Sequence, residues 1–224
     1  MPKYRTRSWR AFDPAAHAAG TATPGEPAPR GVGVRADAVA VVRLAPAENV
    51  RILGLDPGSR RTGFGVIEFR NSKSTPVASG CIAAGTGPLS GRLRCIFEGV
   101  EALIERYSPD EIAIERVFLN RNVDSALKLG HARGAALSAV PTAVPVFEYA
   151  PRAIKLAVAG FGGAEKTQVA HMIRALLSLE GRMTADATDA LAVAVCHAHS
   201  RRMQMFNASL GVAAAVTVVR GRAK

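Results

Sequence analysis

From Arg51 onward apolar residues recur first at every second position and then at every third or fourth, and that change of period limits the fold more than any other feature. Arg51 to Leu55 is a short apolar run that ends in Asp56-Pro57-Gly58, a strand entering a turn. Thr62 to Phe69 alternates, with Gly65, Ile67 and Phe69 on one face and Phe64, Val66 and Glu68 on the other. Val77 to Ala83 reads as a weaker third strand, and the short connections predict an antiparallel meander. Leu89, Leu93, Ile96, Val100, Leu103 and Tyr107 then follow at helical spacing as far as Pro109. Glu111 to Val117 is strand again, Val123 to Val140 helix, and Val146 to Tyr149 strand. Further helices fit Glu165 to Leu179 and Ala185 to about Met203. Three strands followed by alternating helix and strand predict an α/β domain with a mixed sheet of five strands flanked by helices.

This domain is expected to span residues 50–205. Residues 1–49 are rich in Ala, Gly and Pro without a sustained period, and read as a disordered basic extension. A transit peptide, or a start codon set too early with Val50 as the true first residue, fits the same stretch. No apolar h-region follows the early arginines, which argues against a secretory signal. Residues 206–224 form an apolar and then basic tail. Its apolar part, Leu210 to Val219, is ten residues long and too short to span a bilayer.

Composition narrows the function. Hydrophobic residues make up 48% and charged residues 21%, enough apolar material for a packed core. Cys81, Cys95 and Cys196 form no CxxC pair, which excludes a disulfide scaffold and a four-cysteine zinc site. Lys and Arg number 29 against 18 Asp and Glu, a formal charge of +11 that points to a polyanionic partner. No basic amphipathic anchor is visible, so nucleic acid is favoured over a membrane surface.

Four carboxylates stand where chemistry is expected. Asp56 ends an apolar strand, at the edge where open α/β sheets place their sites, although Asp-Pro-Gly is also a good turn sequence. Glu115 shares a strand face with Ala113 and Val117, and a carboxylate there needs either a metal or a nearby cation such as Arg116. Asp186 and Asp189 share one face near the start of the last helix, where acids also complement the helix dipole and Thr184 can serve as N-cap. Such carboxylates cannot all ionise side by side without cations, and hard oxygen donors favour Mg²⁺ or Mn²⁺ over zinc. Two such ions about 4 Å apart would suit hydrolysis of a phosphodiester.

The longer motifs carry a resemblance. Arg51-Ile-Leu-Gly-Leu-Asp-Pro-Gly-Ser-Arg-Arg-Thr-Gly-Phe-Gly65, Ile114-Glu-Arg-Val-Phe118, Asp124-Ser-Ala-Leu-Lys-Leu-Gly130, Pro145-Val-Phe-Glu-Tyr149, Ala164-Glu-Lys166 and Ala185-Asp-Ala-Thr-Asp-Ala-Leu191 resemble the RuvC family of bacterial Holliday-junction resolvases. The resemblance covers about residues 50–205. It implies a ribonuclease-H-like fold, a homodimer, paired symmetric nicks across a four-way DNA junction, and two Mg²⁺ ions per subunit with Mn²⁺ as a substitute. It also implies a handover from the RuvA–RuvB branch-migration complex, and work in the bacterial cytoplasm at the nucleoid. The family's acidic tetrad matches Asp56, Glu115, Asp186 and Asp189. Some members carry histidine where this chain has Asp186, so the set here is all oxygen.

By the same resemblance Phe118 reaches into the junction and stacks on a base, where a core phenylalanine is the plainer reading. Lys155 and Lys166 match lysines that hold the phosphate backbone beside the metals. Arg60 and Arg61, in the loop after Asp56, and Arg121, after Phe118, are further candidates for phosphate contact. Gly130 and Gly134, with Ala126 and Ser138, give the Val123–Val140 helix a face of small residues. The family places that helix at the dimer interface, while packing against the chain's own sheet is the alternative. His131 reads as a surface or interface residue. Cys196, His197 and His199 do not share a helix face and are discounted as a metal site. The Asp56-Pro57-Gly58 loop also resembles the phosphate loop of actin-like and sugar-kinase ATPases, which need two such domains, and that of the short YqgF-type nucleases. A junction-binding module that does not cut is a further alternative.

Overall fold

The structure is a computed structural model that describes residues 49–116, 123–181, 183–209 and 218–219. In chain order the elements are β1 (Asn49–Asp56), β2 (Arg61–Arg70), β3 (Lys73–Ala83), α1 (Leu89–Tyr107), β4 (Glu111–Glu115), α2 (Val123–Ser138), β5 (Val146–Tyr149), α3 (Pro151–Ala159), α4 (Lys166–Leu177), α5 (Ala185–Ser209) and β6 (Val218–Val219). They build one mixed sheet in the order β3-β2-β1-β4-β5-β6. β1, β2 and β3 form the antiparallel meander, and β4 and β5 run parallel to β1. The five expected strands are therefore present. The short β6 adds antiparallel to β5, pairing Val219 with Val146.

β3 begins at Lys73, four residues before the run read from the sequence, because Pro76 breaks the apparent pattern without breaking the strand. A proline is tolerated there since β3 lies at the sheet's edge. The β2–β3 hairpin turns at Asn71 and Ser72, both at positive φ (50° and 63°). α3 has no counterpart in the sequence reading. Pro151 occupies its first turn, Gly160 closes it at φ 83°, and Ile154 and Val158 point inward. α4 starts one residue later than expected, with Glu165 and Gln168 forming a capping box. Thr184 caps α5 as expected, its Oγ1 accepting from the Ala187 amide at 3.3 Å.

The alternation read in β2 sorts its residues onto two cores. Ile67 and Phe69 join Ile52 and Ala113 beneath α5, with α3 and α4 completing that layer through Ile154, Val158, Val169 and Ile173. Val66 joins Leu53, Leu55, Ile112 and Ile114 on the opposite face, beneath α1 and α2. From Ala187 to Ala198 α5 is buried on nearly every side, and it lies directly on the strands because they present glycine to it. A Cβ at Gly54 would run into the Ala190 carbonyl oxygen, and one at Gly63 into the Asp186 carbonyl oxygen. Backbone cannot give as a side chain can, so Gly63→Ala must lift the first turn of α5. We expect it to destabilise the fold by about 1–3 kcal/mol. A urea-denaturation midpoint equal to that of the parent would refute the close seating.

Candidate active site

The parallel register of β1 and β4 ends at Leu55 opposite Ile114, so Asp56 and Glu115 are the next residues on adjacent strands. Both share the parity of Gly54 and Ala113 and face α5. From α5 comes Asp189, in the second turn of the helix. These three carboxylates line one cleft of about 140 Å³ together with Lys155 of α3 and Lys166 at the start of α4. The cleft opens at the carboxyl edge of the parallel strands, where the sequence placed it.

Burial, followed by the neighbouring Glu115 and Asp189 carboxylates, pushes Asp56 up to about 8, against a weaker pull from Lys166. Burial also raises Glu115; Asp189 adds to this, while the hydrogen bond from Asp56 and the charges of Lys166 and Lys155 oppose it. The two acids thus resist ionising side by side. Lys166 Nζ donates to Asp189 Oδ2 at 3.0 Å, which raises the lysine further above its ordinary value. Two carboxylates that resist ionising together, beside a third and with no histidine or cysteine among the described residues lining the cleft, have the donor chemistry of a hard divalent cation.

Asp186 is not in this cluster. Its Oδ2 pairs at 2.7 Å with Nε of Arg61, the first residue of β2, and it does not line the cleft. Accordingly, no three acidic, histidine or cysteine side chains among the described residues converge as a ready-made metal cage. The alternative partner considered for Glu115 is engaged elsewhere: Arg116 pairs with Glu148 at 3.4 Å. Lys155 and Lys166 stand in the cleft as expected. Arg60 is exposed on the turn, its carbonyl accepting from the Ala84 and Gly85 amides. Phe118 and Arg121 lie outside the described residues, as do residues 1–48, 210–217 and 220–224.

Two arginines acquire roles that their sequence context did not distinguish. Arg61 holds Asp186, and Arg92 of α1 donates from Nη1 to the Ser59 carbonyl at 2.9 Å, pinning the turn that follows Asp56. Arg61 was read as a candidate for phosphate contact, and no motif marks Arg92. The small-residue face of α2 is partly as read. Gly130, Gly134 and Ser138 are exposed, with exposed Val123 and Leu127 in line, but Ala126 turns inward with Ala132 and Ala136. His131 is exposed. His197 and His199 serve separate partners, the first Glu111 and Tyr149 and the second the Ala157 carbonyl.

A family model described as crossover junction endodeoxyribonuclease RuvC matches residues 52–197, nearly the whole span of the sheet and its helices. The chain belongs to the RuvC family. Membership makes it a crossover junction endodeoxyribonuclease, a hydrolytic nuclease of recombination and repair, in a family of metal-dependent nucleases. The RuvC of Pseudoalteromonas translucida (strain TAC 125) is 55% identical over 152 residues, 67% of this chain and 87% of that one. That of Hahella chejuensis (strain KCTC 2396) is 51% identical over 157 residues, covering 70% and 91%. Among solved structures, Thermus thermophilus RuvC in complex with Holliday junction substrate matches with a TM-score of 0.64 at 34% identity, over 69% of this chain and 96% of that one. The yeast mitochondrial Holliday junction resolvase Ydc2 matches with a TM-score of 0.56 over 72% and 84% of the two chains. At 12% identity that likeness speaks to the fold alone. The architecture is thus the ribonuclease-H-like one expected. No helix among the described residues is long and apolar enough to cross a membrane.

Proposed function

We propose that the chain resolves four-way DNA junctions by paired, symmetric hydrolysis of phosphodiesters, using two Mg²⁺ ions per subunit, with Mn²⁺ as a substitute. The observation that carries this reading is the convergence of Asp56, Glu115 and Asp189 with Lys155 and Lys166 in one cleft of a RuvC-family chain. Asp56, Glu115 and Asp189 would hold the ions, and Asp186 would join them by exchanging Arg61. When bound, such ions lower the pKa of a water and offset charge on the scissile phosphate and the leaving oxygen.

The chain's own groups do the rest. Positive charge in the cleft would let Asp56 and Glu115 ionise together. Lys155 and Lys166 fix the DNA backbone beside the carboxylates, with Arg60 and Arg121 as outlying phosphate contacts that orient without reading sequence. Phe118, three residues beyond Glu115, would stack on a base at the crossover, a contact worth about 1–3 kcal/mol. The exposed line of Val123, Leu127, Gly130 and Gly134 on α2 is where a second copy would sit, and a two-fold enzyme suits a two-fold junction. We place the enzyme in the bacterial cytoplasm at the nucleoid, receiving junctions from RuvA–RuvB. We assign catalysis to residues 50–205, with residues 1–49 and 206–224 as appendages.

The test is cleavage of a mobile four-way junction with Mg²⁺ or with EDTA, beside linear duplex and single-strand controls. Paired nicks on opposite strands, on the junction only and with metal only, are expected. Binding without nicks would leave a junction-binding module and overturn the reading.

A further inference from the structure

Behind Glu115, on the face of the sheet away from the cleft, lies a charge cluster that the mechanism above does not use. Glu148 of β5 stands opposite Ile114, so its side chain projects toward the α1/α2 layer while the Glu115 side chain faces α5. Its two carboxylate oxygens are shared by two arginines: Oε1 lies 2.6 Å from Arg133 Nη2, and Oε2 lies 3.4 Å from Arg116 Nε. The Arg133 and Glu148 side chains are only 19% and 15% exposed, so solvent screens this pair weakly. The same Arg133 guanidinium donates from Nε to the Glu115 carbonyl oxygen at 3.3 Å. β4 ends there, and past Glu115 the strand is tied to β5 by the Arg116 amide on the Tyr149 carbonyl. The Glu115 carbonyl is therefore held from the far side of the sheet by a side chain of α2.

We propose that Arg133 is a positioning residue for Glu115, with Glu148 fixing the guanidinium so that its fork sets the orientation of the Glu115 peptide. The proposal rests on the metal-site reading of the cleft. It favours arginine, because Nε and Nη2 meet the carbonyl and the carboxylate from two nitrogens of one planar group, whereas a lysine would have to serve both from a single nitrogen on a flexible stem. A rotation of the Glu115 peptide would swing its carboxyl group away from Asp56, which changes cation binding before it changes grip on DNA.

The experiment is titration of the full chain with Mn²⁺ alone, without DNA, for the wild type, Arg133→Lys, Glu148→Gln and, as control, Glu115→Gln, with a thermal melt of each. Arg133→Lys is expected to weaken Mn²⁺ binding on the order of tenfold, as loss of an outer partner of a ligand commonly does, and Glu148→Gln to weaken it in the same direction. Junction affinity in EDTA should stay that of the wild type. Melting temperatures that fall while Mn²⁺ affinity matches the wild type would overturn the proposal and leave the cluster a purely structural tie. Wild-type affinity that Glu115→Gln does not alter would overturn the metal-site reading, and the proposal with it. If Arg133→Lys fails to fold, Glu148→Gln carries the same readout.

Discussion

Glu115→Gln is expected to slow junction cleavage on the order of 10³-fold or more, the scale seen when a group that stabilises developing charge is removed. That corresponds to about 4 kcal/mol of transition-state stabilisation. The change keeps the shape of the side chain and its ability to bond with Asp56, but removes the anion. Lys155 and Lys166 still line the cleft, and junction affinity measured in EDTA should change by no more than about twofold, because phosphate contacts dominate such affinity. Stability should not fall. Burial and the Asp189 charge hold Glu115 above its ordinary range, and the pair it forms with Asp56 keeps both carboxyls from ionising together. Removing one acid relieves that conflict. Asp56→Asn is expected to behave alike, since the two occupy equivalent ends of adjacent strands. Single-turnover cleavage with Mg²⁺, gel-shift binding in EDTA and a thermal melt decide it, and retained cutting by either variant would remove that carboxylate from the site. An inactive variant that has also lost stability would show instead that the acids serve the fold.

Much of this site was legible because strand parity and helix spacing are local. Asp56 and Glu115 end two apolar runs, and only their mutual register, which is tertiary, was missing from the sequence. Asp186 shows the limit of spacing arguments. It sits three residues from Asp189 on the same helix, yet its carboxylate is taken by Arg61, because β2 passes against the first turn of α5 and brings a guanidinium within 2.7 Å. Nothing near Arg61 in the chain reports that approach; only Gly63, which lets the helix sit so close, marks it indirectly. α3 escaped for another reason. Nine residues with Ile154 and Val158 as the only fully inward pair are too few for a period to emerge, and the usable signals were Pro151 and Gly160 at its ends. On α2, a stripe of small residues did not reveal which of them turn inward. Ala126 packs on the core while Gly130 and Gly134 face out, a distinction set by where α1 and the sheet lie rather than by residue size.

Truncating either end of the Glu111–Arg201 pair is expected to cost about 3–5 kcal/mol, the range for stranding one partner of a buried ion pair. Glu111 opens β4 and is 4% exposed; Arg201 of α5 is 3% exposed. Arg201 donates from Nε to Glu111 Oε2 at 2.8 Å and from Nη2 to Oε1 at 3.0 Å. His197 Nε2 meets the same Oε2 at 2.7 Å, and its Nδ1 lies 2.7 Å from the Tyr149 hydroxyl. Arg201→Met leaves a carboxylate in the core with one neutral partner, and Glu111→Met takes from the buried guanidinium the carboxylate that it meets with two nitrogens. The double variant should cost clearly less than the two singles together, because it strands neither charge. Acid should act on the same cluster. Burial lowers the proton affinity of His197, and Arg201 adds to this against the pull of Glu111, so folded His197 stays neutral where the unfolded chain takes up a proton. Stability from His197 is therefore full above its ordinary value of 6.5 and drains as pH falls below it. Burial would raise Glu111, but the bonds from His197 and Arg201 outweigh it, and its net shift is downward. Its contribution is thus lost in turn as pH falls below 4.5. Both terms carry the same sign, opposite to that of Asp56 and Glu115, which are raised and favour the folded chain as pH falls. The network's share is therefore read as the difference between the urea midpoints of the wild type and of Arg201→Met/Glu111→Met, which should fall from pH 7 downward. A difference that stays constant across that range would overturn the assignment of acid sensitivity to this network.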